Sequence, residues 1–323
     1  MKAQNVRHLQ NRFDILILTG GIHMDWVTGI QNAINYIEDN ITEDLDYESI
    51  AKKSFASSFH FQRVFNTLCG YTLGEYIRNR RLSLAGMDLA ADKDKVFNIA
   101  LKYGYDNPES FAKAFQKFHG ITPSQARANG AMLKSFSRLS IRVSLEGGST
   151  MNYRVEEKPS MILTGYKARF AGNPSDKNNQ DHFFACKTRL YQYILMGMNR
   201  DFVNTYQVLT NFDQDGYDFY FAHLLPKWAL DDFDEHLGEM AKNFEHLRIP
   251  EGQYLVCETD RCKYPTEFID DLRRRAVTEW LPSTGYELRD APEVAVIHWY
   301  WEEGNEKLNT SRYCELWLPI VKK

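Results

Sequence analysis

A unit of about fifty residues occurs twice near the amino terminus, and this repeat restricts the fold more than any other feature of the sequence. The first copy contains Ile50, Ala51, Phe61, Phe65, Gly70 and Thr72, and the second contains Ile99, Ala100, Phe111, Phe115, Gly120 and Thr122. Two phenylalanines four residues apart share one face of a helix. Each copy therefore predicts a short helix, a turn, a second helix and a terminal glycine, which is a helix-turn-helix unit.

The residues at the ends of the predicted helices are those that helix termini favour. Ser57 or Ser58 is a natural N-cap for the second helix of the first unit. In the second unit, Asn107 is the expected N-cap and Pro108 takes the first helical position. Residues 73–91 have a helical apolar pattern and predict a stiff connector between the units. The segment is therefore predicted to be all-α.

The second helix of each unit has a face that its partner helix does not cover. In the first unit this face carries Phe59, Gln62 and Arg63. In a major groove, Gln can form two hydrogen bonds with adenine and Arg can do the same with guanine. Two such helices on one connector can enter successive grooves about 34 Å apart. The repeat predicts a chain that reads double-stranded promoter DNA without dimerising, and ordinary helical packing is the alternative.

Charge supports this interpretation only locally. Residues 57–130 carry 10 basic and 6 acidic residues, a net of +4, whereas the whole chain has a net charge of -4. Phosphate binding requires a basic face and not a basic total. We therefore expect modest affinity for DNA, assisted by RNA polymerase or by a second subunit.

These residues also carry a family resemblance. Segment 25–130 resembles the DNA-binding domain of AraC/XylS-type transcription regulators through "IAKKSFASSFHFQRVFNTLCGYTLGEYIRNRRLSLAGMDL" and "IALKYGYDNPESFAKAFQKFHGITPSQAR". The candidate DNA-binding residues are Ser58, Phe59, Gln62, Arg63, Asn107, Pro108, Glu109, Ser110 and Lys113. By position, the resemblance makes Phe59, Gln62 and Arg63 the base readers of the first helix. Because Pro108 and Ala112 cannot donate a hydrogen bond, the second helix is expected to contact mainly phosphates, through Lys113 and Asn107.

The composition of the chain changes after Arg127. Residues 151–323 carry 21 basic and 28 acidic residues, a net of -7, and five of the six tryptophans. The stretches 139–145 and 151–157 alternate apolar and polar residues and predict a hairpin at the start of a new domain. The order strand, helix, strand, strand then occurs twice. This order predicts an α+β domain with helices on one face of antiparallel sheets.

Residues 137–323 resemble the gyrase-inhibitor-like (GyrI-like) effector-binding fold through "EKPSMILTGYKAR", "IPEGQYLVCETD", "WLPSTGYEL" and "CELWLPI". The resemblance implies a small-molecule effector held in a cleft between the two repeats, with an acidic residue among aromatic ones. The candidate ligand-binding residues are Glu315, Trp317, Trp299, Trp301, Tyr166, Tyr220 and Tyr254. Ala295 stands where relatives often carry Glu, which favours an amphipathic or neutral ligand over a strongly cationic one. For each tryptophan, an ordinary core position is the alternative.

The sequence thus predicts a multidomain chain: a leader over residues 1–24, a tandem helix-turn-helix DNA-binding domain over 25–130, and an effector-binding domain over 131–323. The leader is expected to be either an extension or a segment ahead of a natural start at Met24. The five cysteines have no CxxC spacing and indicate reduced thiols in the cytoplasm. Since no apolar run approaches the roughly 20 residues of a membrane span, no membrane partner is expected.

The leading interpretation is that the chain is a transcription regulator that acts as an activator. Its activity would be controlled by an amphipathic or cationic small molecule. Two alternatives remain open. In the first, the C-terminal domain is a hydrolase that uses Glu315 as a base. In the second, the chain is a ligand-independent activator whose C-terminal domain contacts other proteins. Since the histidines lack metal-ligand spacing and no Gly-rich phosphate loop occurs, we expect neither a metal nor a cofactor.

Overall fold

The computed structural model describes residues 26–54, 56–91, 94–141, 150–172, 174, 187–199, 204–213, 215–300 and 305–322. The predicted leader over residues 1–24 lies outside these ranges, as does Trp301. None of the helices in the described ranges has the length and apolar character needed to cross a membrane.

Helices form the amino-terminal domain, in the order that the repeat predicts. They are α1 (Trp26–Asp39), α2 (Tyr47–Lys53), α3 (Ser58–Cys69), α4 (Leu73–Ala90), α5 (Val96–Lys102) and α6 (Pro108–His119). The pairs α2–α3 and α5–α6 are the two helix-turn-helix units, and α4 is the 18-residue connector between them. The second helices, α3 and α6, each have 12 residues.

Local chemistry fixes where α3 and α6 begin and end. The side chain of Ser57 accepts a hydrogen bond from the backbone N–H of His60 at 3.3 Å, so Ser57 is the N-cap of α3. Asn107 caps α6 in the same way, accepting from the backbone N–H of Glu109 at 2.8 Å. Gly70 and Gly120 end the two helices in the left-handed conformation, with φ of 74° and 83°. The predicted N-caps and terminal glycines are therefore confirmed.

Strands and further helices form the carboxy-terminal domain. The strands are β1 (Asn152–Lys158), β2 (Met161–Ala171), β3 (Asn204–Thr210), β4 (Gly216–His223), β5 (Glu245–Ile249), β6 (Gly252–Glu258), β7 (Tyr286–Leu288), β8 (Glu293–His298) and β9 (Tyr313–Lys322). The helices are α7 (Lys187–Asn199), α8 (Lys227–Asp231), α9 (Phe233–Leu237), α10 (Ile269–Arg275) and α11 (Glu306–Asn309). A π-helical turn, Ala276–Trp280, continues α10. The predicted α+β class is confirmed.

Within the described residues the strands form one antiparallel sheet in the order β1-β6-β9-β8-β3-β4-β2-β5, and β7 pairs with the end of β9. The order strand, helix, strand, strand occurs twice, as β2-α7-β3-β4 and β6-α10-β8-β9. In a flat sheet β5 and β6 would lie about 29 Å apart, at about 4.8 Å per strand. Only Pro250 and Glu251 connect them, so the sheet must curl until its two ends meet.

The predicted hairpin at the domain boundary does not form within the described residues, and residues 142–149, which hold the rest of its first strand and most of its turn, lie outside them. β1 pairs with β6, with Val155 opposite Leu255, and residues 139–141 form no strand. Residues 131–141 instead run along the helical domain, where the backbone N–H of Leu139 donates to the hydroxyl of Tyr76 at 3.3 Å. The backbone N–H of Phe136 likewise donates to Ser83 Oγ at 3.0 Å. These hydrogen bonds compete successfully with strand pairing for the same backbone groups.

The sheet has two buried faces. The inner face of the curl is lined by Leu163, Tyr206, Val208, Tyr220, Ala222, Ile249, Tyr254, Val256, Val294, Val296 and Trp317. The outer face packs on the helices of its own domain and also on the helical domain. One hydrophobic cluster runs from Ile34 and Phe65 of the helical domain to Leu272 and Leu316 of the sheet domain. The two domains therefore share a continuous core.

Candidate DNA-binding and effector-binding sites

The amino-terminal end of α6 is open to solvent. Asn107, Pro108, Glu109, Ser110 and Lys113 are all exposed, as expected for residues that contact DNA. Phe111 and Phe115 are fully buried on the opposite face and hold the helix on its domain. The positions predicted for the second DNA-binding helix are therefore accessible in this structure.

The equivalent face of α3 is covered by the carboxy-terminal domain. Phe59, Gln62, Arg63 and Asn66 are spaced i, i+3, i+4 and i+7, so they lie on one side of the helix. Phe59 packs against the core shared by the two domains, and Gln62 and Asn66 line a narrow crevice at the domain boundary. The face of α3 predicted to read bases is thus also the face that docks on the neighbouring domain.

Arg63 lies at the centre of this contact. Its side chain is only 5% exposed and forms an ion pair with Glu293, the first residue of β8, which is itself fully buried. The Arg63 guanidinium also lies over the ring of Phe212, 3.8 Å from its centroid. Arg273 of α10 completes the group, with Nε and Nη2 at 2.7 and 2.6 Å from Glu293 Oε1. One buried carboxylate therefore holds two guanidinium groups from different domains.

These two guanidinium groups set the ionisation of Glu293. Burial by itself would raise the pKa of the carboxyl, but the charges and hydrogen bonds of Arg273 and Arg63 outweigh it and hold the pKa below its usual range. Glu293 is therefore an anion at neutral pH. A buried anion of this kind is stable only while its cationic partners remain in place.

Further polar contacts join α3 and α4 to the carboxy-terminal domain. The backbone N–H of Leu288 in β7 donates to His60 Nδ1 at 3.0 Å. Asn66 Nδ2 donates to the carbonyl oxygen of Gly172 at 3.2 Å. Arg78 of α4 lies 3.6 Å from Asp215 in the β3–β4 loop, in an exposed pair that contributes little. The docked arrangement is thus specified by several directional contacts in addition to apolar packing.

The structure corrects the expectation that Arg63 is free on the surface of its helix. Its burial follows from the match between its guanidinium and the Glu293 carboxylate, which neutralise each other away from water. Gln62 and Ser58 are half-buried, and Gln62 Nε2 donates to Ser58 Oγ at 3.1 Å. The base-reading role of these residues stays a prediction, and it requires α3 to leave this contact.

The inner face of the sheet brings together four of the residues predicted to bind a ligand. Glu315 and Trp317 alternate along β9, and Tyr220 and Tyr254 belong to the same face. Trp317 Nε1 donates to Glu315 Oε2 at 2.8 Å. The Tyr220 hydroxyl donates to Glu245 at 2.9 Å, and burial together with that carboxylate raises the pKa of Tyr220 to about 12. An acidic residue among aromatic ones is therefore present, as predicted.

Basic side chains of β1 occupy the rim of this face. Arg154 Nη2 lies 2.7 Å from Glu315 Oε1, and Lys158 Nζ lies 4.2 Å from the ring centroid of Trp317. Burial tends to raise the pKa of Glu315, but the hydrogen bonds from Arg154 and Trp317 lower it. The negative charge and the aromatic ring thus already have cationic partners from the same chain.

Two predicted ligand residues lie on the opposite side of the sheet. Tyr166 packs with Tyr191 of α7 and with Phe221 on the helix-covered face. Trp299 lies against the core shared by the domains, and its Nε1 donates to Thr205 at 2.8 Å. Successive side chains of a strand point to opposite faces, which separates both residues from Glu315. Placing them in one pocket with Glu315 was therefore wrong, and Trp301 lies outside the described residues.

Sequence reasoning missed Arg154, Lys158, Arg273 and Glu293. For β1 a signal was present, because Arg154, Glu156 and Lys158 recur with period two and so share one face of the strand. For Arg273 and Glu293 no local signal exists. Their importance arises from a contact between segments that are far apart in the chain.

Comparisons with known proteins agree with the two-domain arrangement. Residues 50–129 match the family described as a helix-turn-helix domain, and residues 154–320 match the family described as integron-associated effector binding protein. The second match covers more than half of the chain.

Two curated relatives match the helical domain. The HTH-type transcriptional activator AarP of Providencia stuartii is 43% identical over 98 residues, which are 30% of this chain and 73% of AarP. The regulatory protein SoxS of Salmonella typhimurium is 40% identical over 98 residues, which are 30% of this chain and 92% of SoxS. An integron cassette protein from the mobile metagenome of Vibrio cholerae has a solved structure with 13% identity and a TM-score of 0.33, covering 52% of this chain and 95% of that protein.

AarP is a transcriptional activator and SoxS is a regulatory protein, and the helix-turn-helix family match over residues 50–129 runs from α2 to beyond α6. The family match of the second domain covers the curled sheet from β1 to β9. The chain therefore belongs to the AraC-type transcription regulators and carries a carboxy-terminal effector-binding domain of the integron-associated family.

Proposed function

We propose that this chain activates transcription by binding double-stranded promoter DNA through α3 and α6, under the control of a small molecule held by the sheet domain. The observation that carries the proposal is the duplicated unit itself. Two capped 12-residue helices, each held by a pair of buried phenylalanines, flank one connector helix, and the candidate face is exposed in α6 and covered by the sheet domain in α3. In helix-turn-helix units the second helix is the one that enters the major groove.

The two helices are proposed to contribute unequally. In α3, Gln62 and Arg63 offer groups that pair with adenine and guanine edges, with Phe59 and Ser58 beside them. In α6, Lys113 and Asn107 supply phosphate contacts around Pro108, Glu109 and Ser110, which position the protein and carry little sequence information. RNA polymerase is a further proposed partner, and the cytoplasm is the proposed location.

The effector is proposed to be amphipathic or cationic. Arg154 and Lys158 already neutralise Glu315 and cover Trp317, so a bound cation would replace one of them. Tyr220, Tyr254 and Trp317 offer aromatic surface for the apolar part of the ligand. Because these side chains fill the inner face, binding requires the rim residues of β1 to move.

Catalysis is not part of the proposal. A general base that works near neutral pH needs a pKa close to 7. The pKa of Glu315 is lowered by its partners and not raised, which disfavours the hydrolase alternative. The chain is proposed to bind and release its effector unchanged.

The test is selection of binding sites by the purified full chain from a pool of duplexes with random sequence. We expect a motif of two parts whose centres lie about one helical turn, 10–10.5 base pairs, apart. Gln62→Ala is expected to relax the preference in one part only. Lys113→Ala is expected to weaken binding evenly and to lower the slope of log affinity against log salt by about 1. The selection is repeated with Glu293→Gln, in which docking of α3 is disfavoured, and recovery of no motif by either protein would refute the proposal.

A further inference from the structure

The face of α3 that docks on the sheet domain cannot bind DNA at the same time. Arg63 is 5% exposed, and its guanidinium is engaged by Glu293 on one side and by the ring of Phe212 on the other. A guanidinium that pairs with a carboxylate cannot at the same time pair with a guanine edge. In addition, His60 and Asn66 bond to the backbone of β7 and of the segment after β2. DNA and the sheet domain are therefore competitors for one surface.

The internal repeat provides a comparison within the same molecule. The residue equivalent to Arg63 in the second unit is Lys113, and the one equivalent to Asn66 is Gln116. Both are exposed, whereas Arg63 and Asn66 are buried. Burial is therefore not a general property of this face of a helix-turn-helix unit. It results from the sheet domain, which covers the helix that carries the base-reading side chains.

The sheet domain, which covers α3, resembles a nucleic acid only in its negative charge. Residues 151–323 carry a net charge of -7, and the group that meets Arg63 is a carboxylate. An intramolecular partner acts at a high effective concentration, so a modest contact can compete with promoter DNA. The second guanidinium, from Arg273, keeps Glu293 ionised and fixes its position.

The strand that carries Glu293 also belongs to the proposed effector site. On β8, Val294 and Val296 lie on the inner face, and they pair with Trp317 and Glu315 of β9. Glu293 lies one residue away, on the outer face. Movement of β8 that accompanies binding on the inner face would therefore shift the carboxylate that holds Arg63.

We infer that the sheet domain holds the regulator in a state of low DNA affinity by occupying the base-reading face of α3, with the Arg63–Glu293–Arg273 group as its central contact. The inference rests on the proposed function, because it assumes that α3 reads DNA. In this state α6 remains available for weak phosphate contacts. Release of α3 converts weak binding into specific binding.

The experiment compares the DNA affinity of the full-length wild-type protein with that of Glu293→Gln, using the motif selected as above and a scrambled duplex. In the variant, Arg63 and Arg273 face each other without an anion between them, so docking is disfavoured. We expect at least tenfold tighter binding to the motif and little change on the scrambled duplex. Glu239→Gln removes one charge from an exposed site of the same domain and is the matched control, with unchanged affinity expected.

The possible results separate the inference from the proposed function. If the wild type and Glu293→Gln bind the motif equally, α3 is not masked and the inference is wrong, while the proposed function stands. If neither protein selects any motif, both are wrong. If Glu293→Gln has no cooperative thermal transition, Phe212→Ala replaces it, since it removes the ring beneath Arg63, which also stacks on Tyr217 of its own domain. An increase of about threefold is then expected, and unchanged affinity would overturn the inference.

Discussion

Arg63 has two sets of partners that exclude each other: the carboxylate of Glu293 and the ring of Phe212 in this structure, and base edges when DNA is bound. Its local sequence indicates only the second set, because the partner in the first lies 230 residues further along the chain. The exposure of the candidate residues of α6 could be expected from the sequence, because no distant segment among the described residues covers them. The accessibility of α3 could not, because it depends on how the two domains dock.

Replacement of Arg63 tests the base-reading role directly. In the Glu293→Gln background, in which α3 is already released, we expect Arg63→Ala to remove about 1–3 kcal/mol of discrimination between the selected motif and a scrambled duplex, because a bidentate contact to guanine is lost. The measurement is the ratio of the two dissociation constants for each protein. Lys113→Ala, at the equivalent position of α6, should weaken binding to both duplexes by the same factor and leave the ratio of the dissociation constants unchanged. If Arg63→Ala left this ratio unchanged, Arg63 would not be a base-reading residue.

Replacement of Glu315 tests the proposed effector site, also at the scale of a single residue. If an amphipathic cation raises the melting temperature of the wild type, as the proposed effector class predicts, we expect Glu315→Gln to reduce that rise, because the attraction of the carboxylate for the cation is lost. Thermal scans of both proteins with the same panel of cations measure this. Affinity for the selected DNA should not change. Equal shifts in both proteins would show that Glu315 does not hold the ligand.

At the scale of elements, the helices were easier to predict than the strands. Helix ends depend on local chemistry, and Ser57, Asn107 and the terminal glycines were sufficient to place α3 and α6. Strand partners depend on distant segments, so β1 was assigned to a hairpin although it pairs with β6. The sequence did not predict β3 as a separate strand, and β3 lies centrally in the sheet, between β4 and β8.

The terminal glycine of α6 gives a prediction for that element. Gly120 has φ of 83°, and a Cβ built there has no atom within 4 Å, so the effect of a side chain is conformational only. We expect Gly120→Ala to lower the free energy of unfolding by about 1–2 kcal/mol. Gly197 in α7 also has open space around its Cβ, and Gly197→Ala should instead stabilise by up to about 1 kcal/mol. Denaturant unfolding measures the change in the free energy of unfolding for each variant. Two changes of the same sign would contradict this explanation.

At the scale of the whole molecule, the continuous core and the Arg63–Glu293–Arg273 group join the two domains. This could not be expected from the sequence, which shows two segments of different charge and pattern. A prediction made from each segment alone gives the fold class of that segment. It does not show how the two segments contact each other. The contact is nevertheless the feature that decides whether α3 is available to DNA.

The pH dependence of stability tests this contact. The pKa of Glu293 in the folded chain lies below the ordinary value of about 4.3, so the unfolded chain binds the proton more readily. The stability that the ionised group contributes is thus fully present above about pH 4.3 and is lost as the pH falls through the lower, folded value. We expect thermal unfolding to show a difference between wild type and Glu293→Gln that is constant from pH 7 to about pH 5. Below that range the difference should shrink, because protonation of the wild-type carboxyl makes it neutral like the glutamine. If the two curves stayed parallel down to pH 3, Glu293 would not be the anion that binds the domains together.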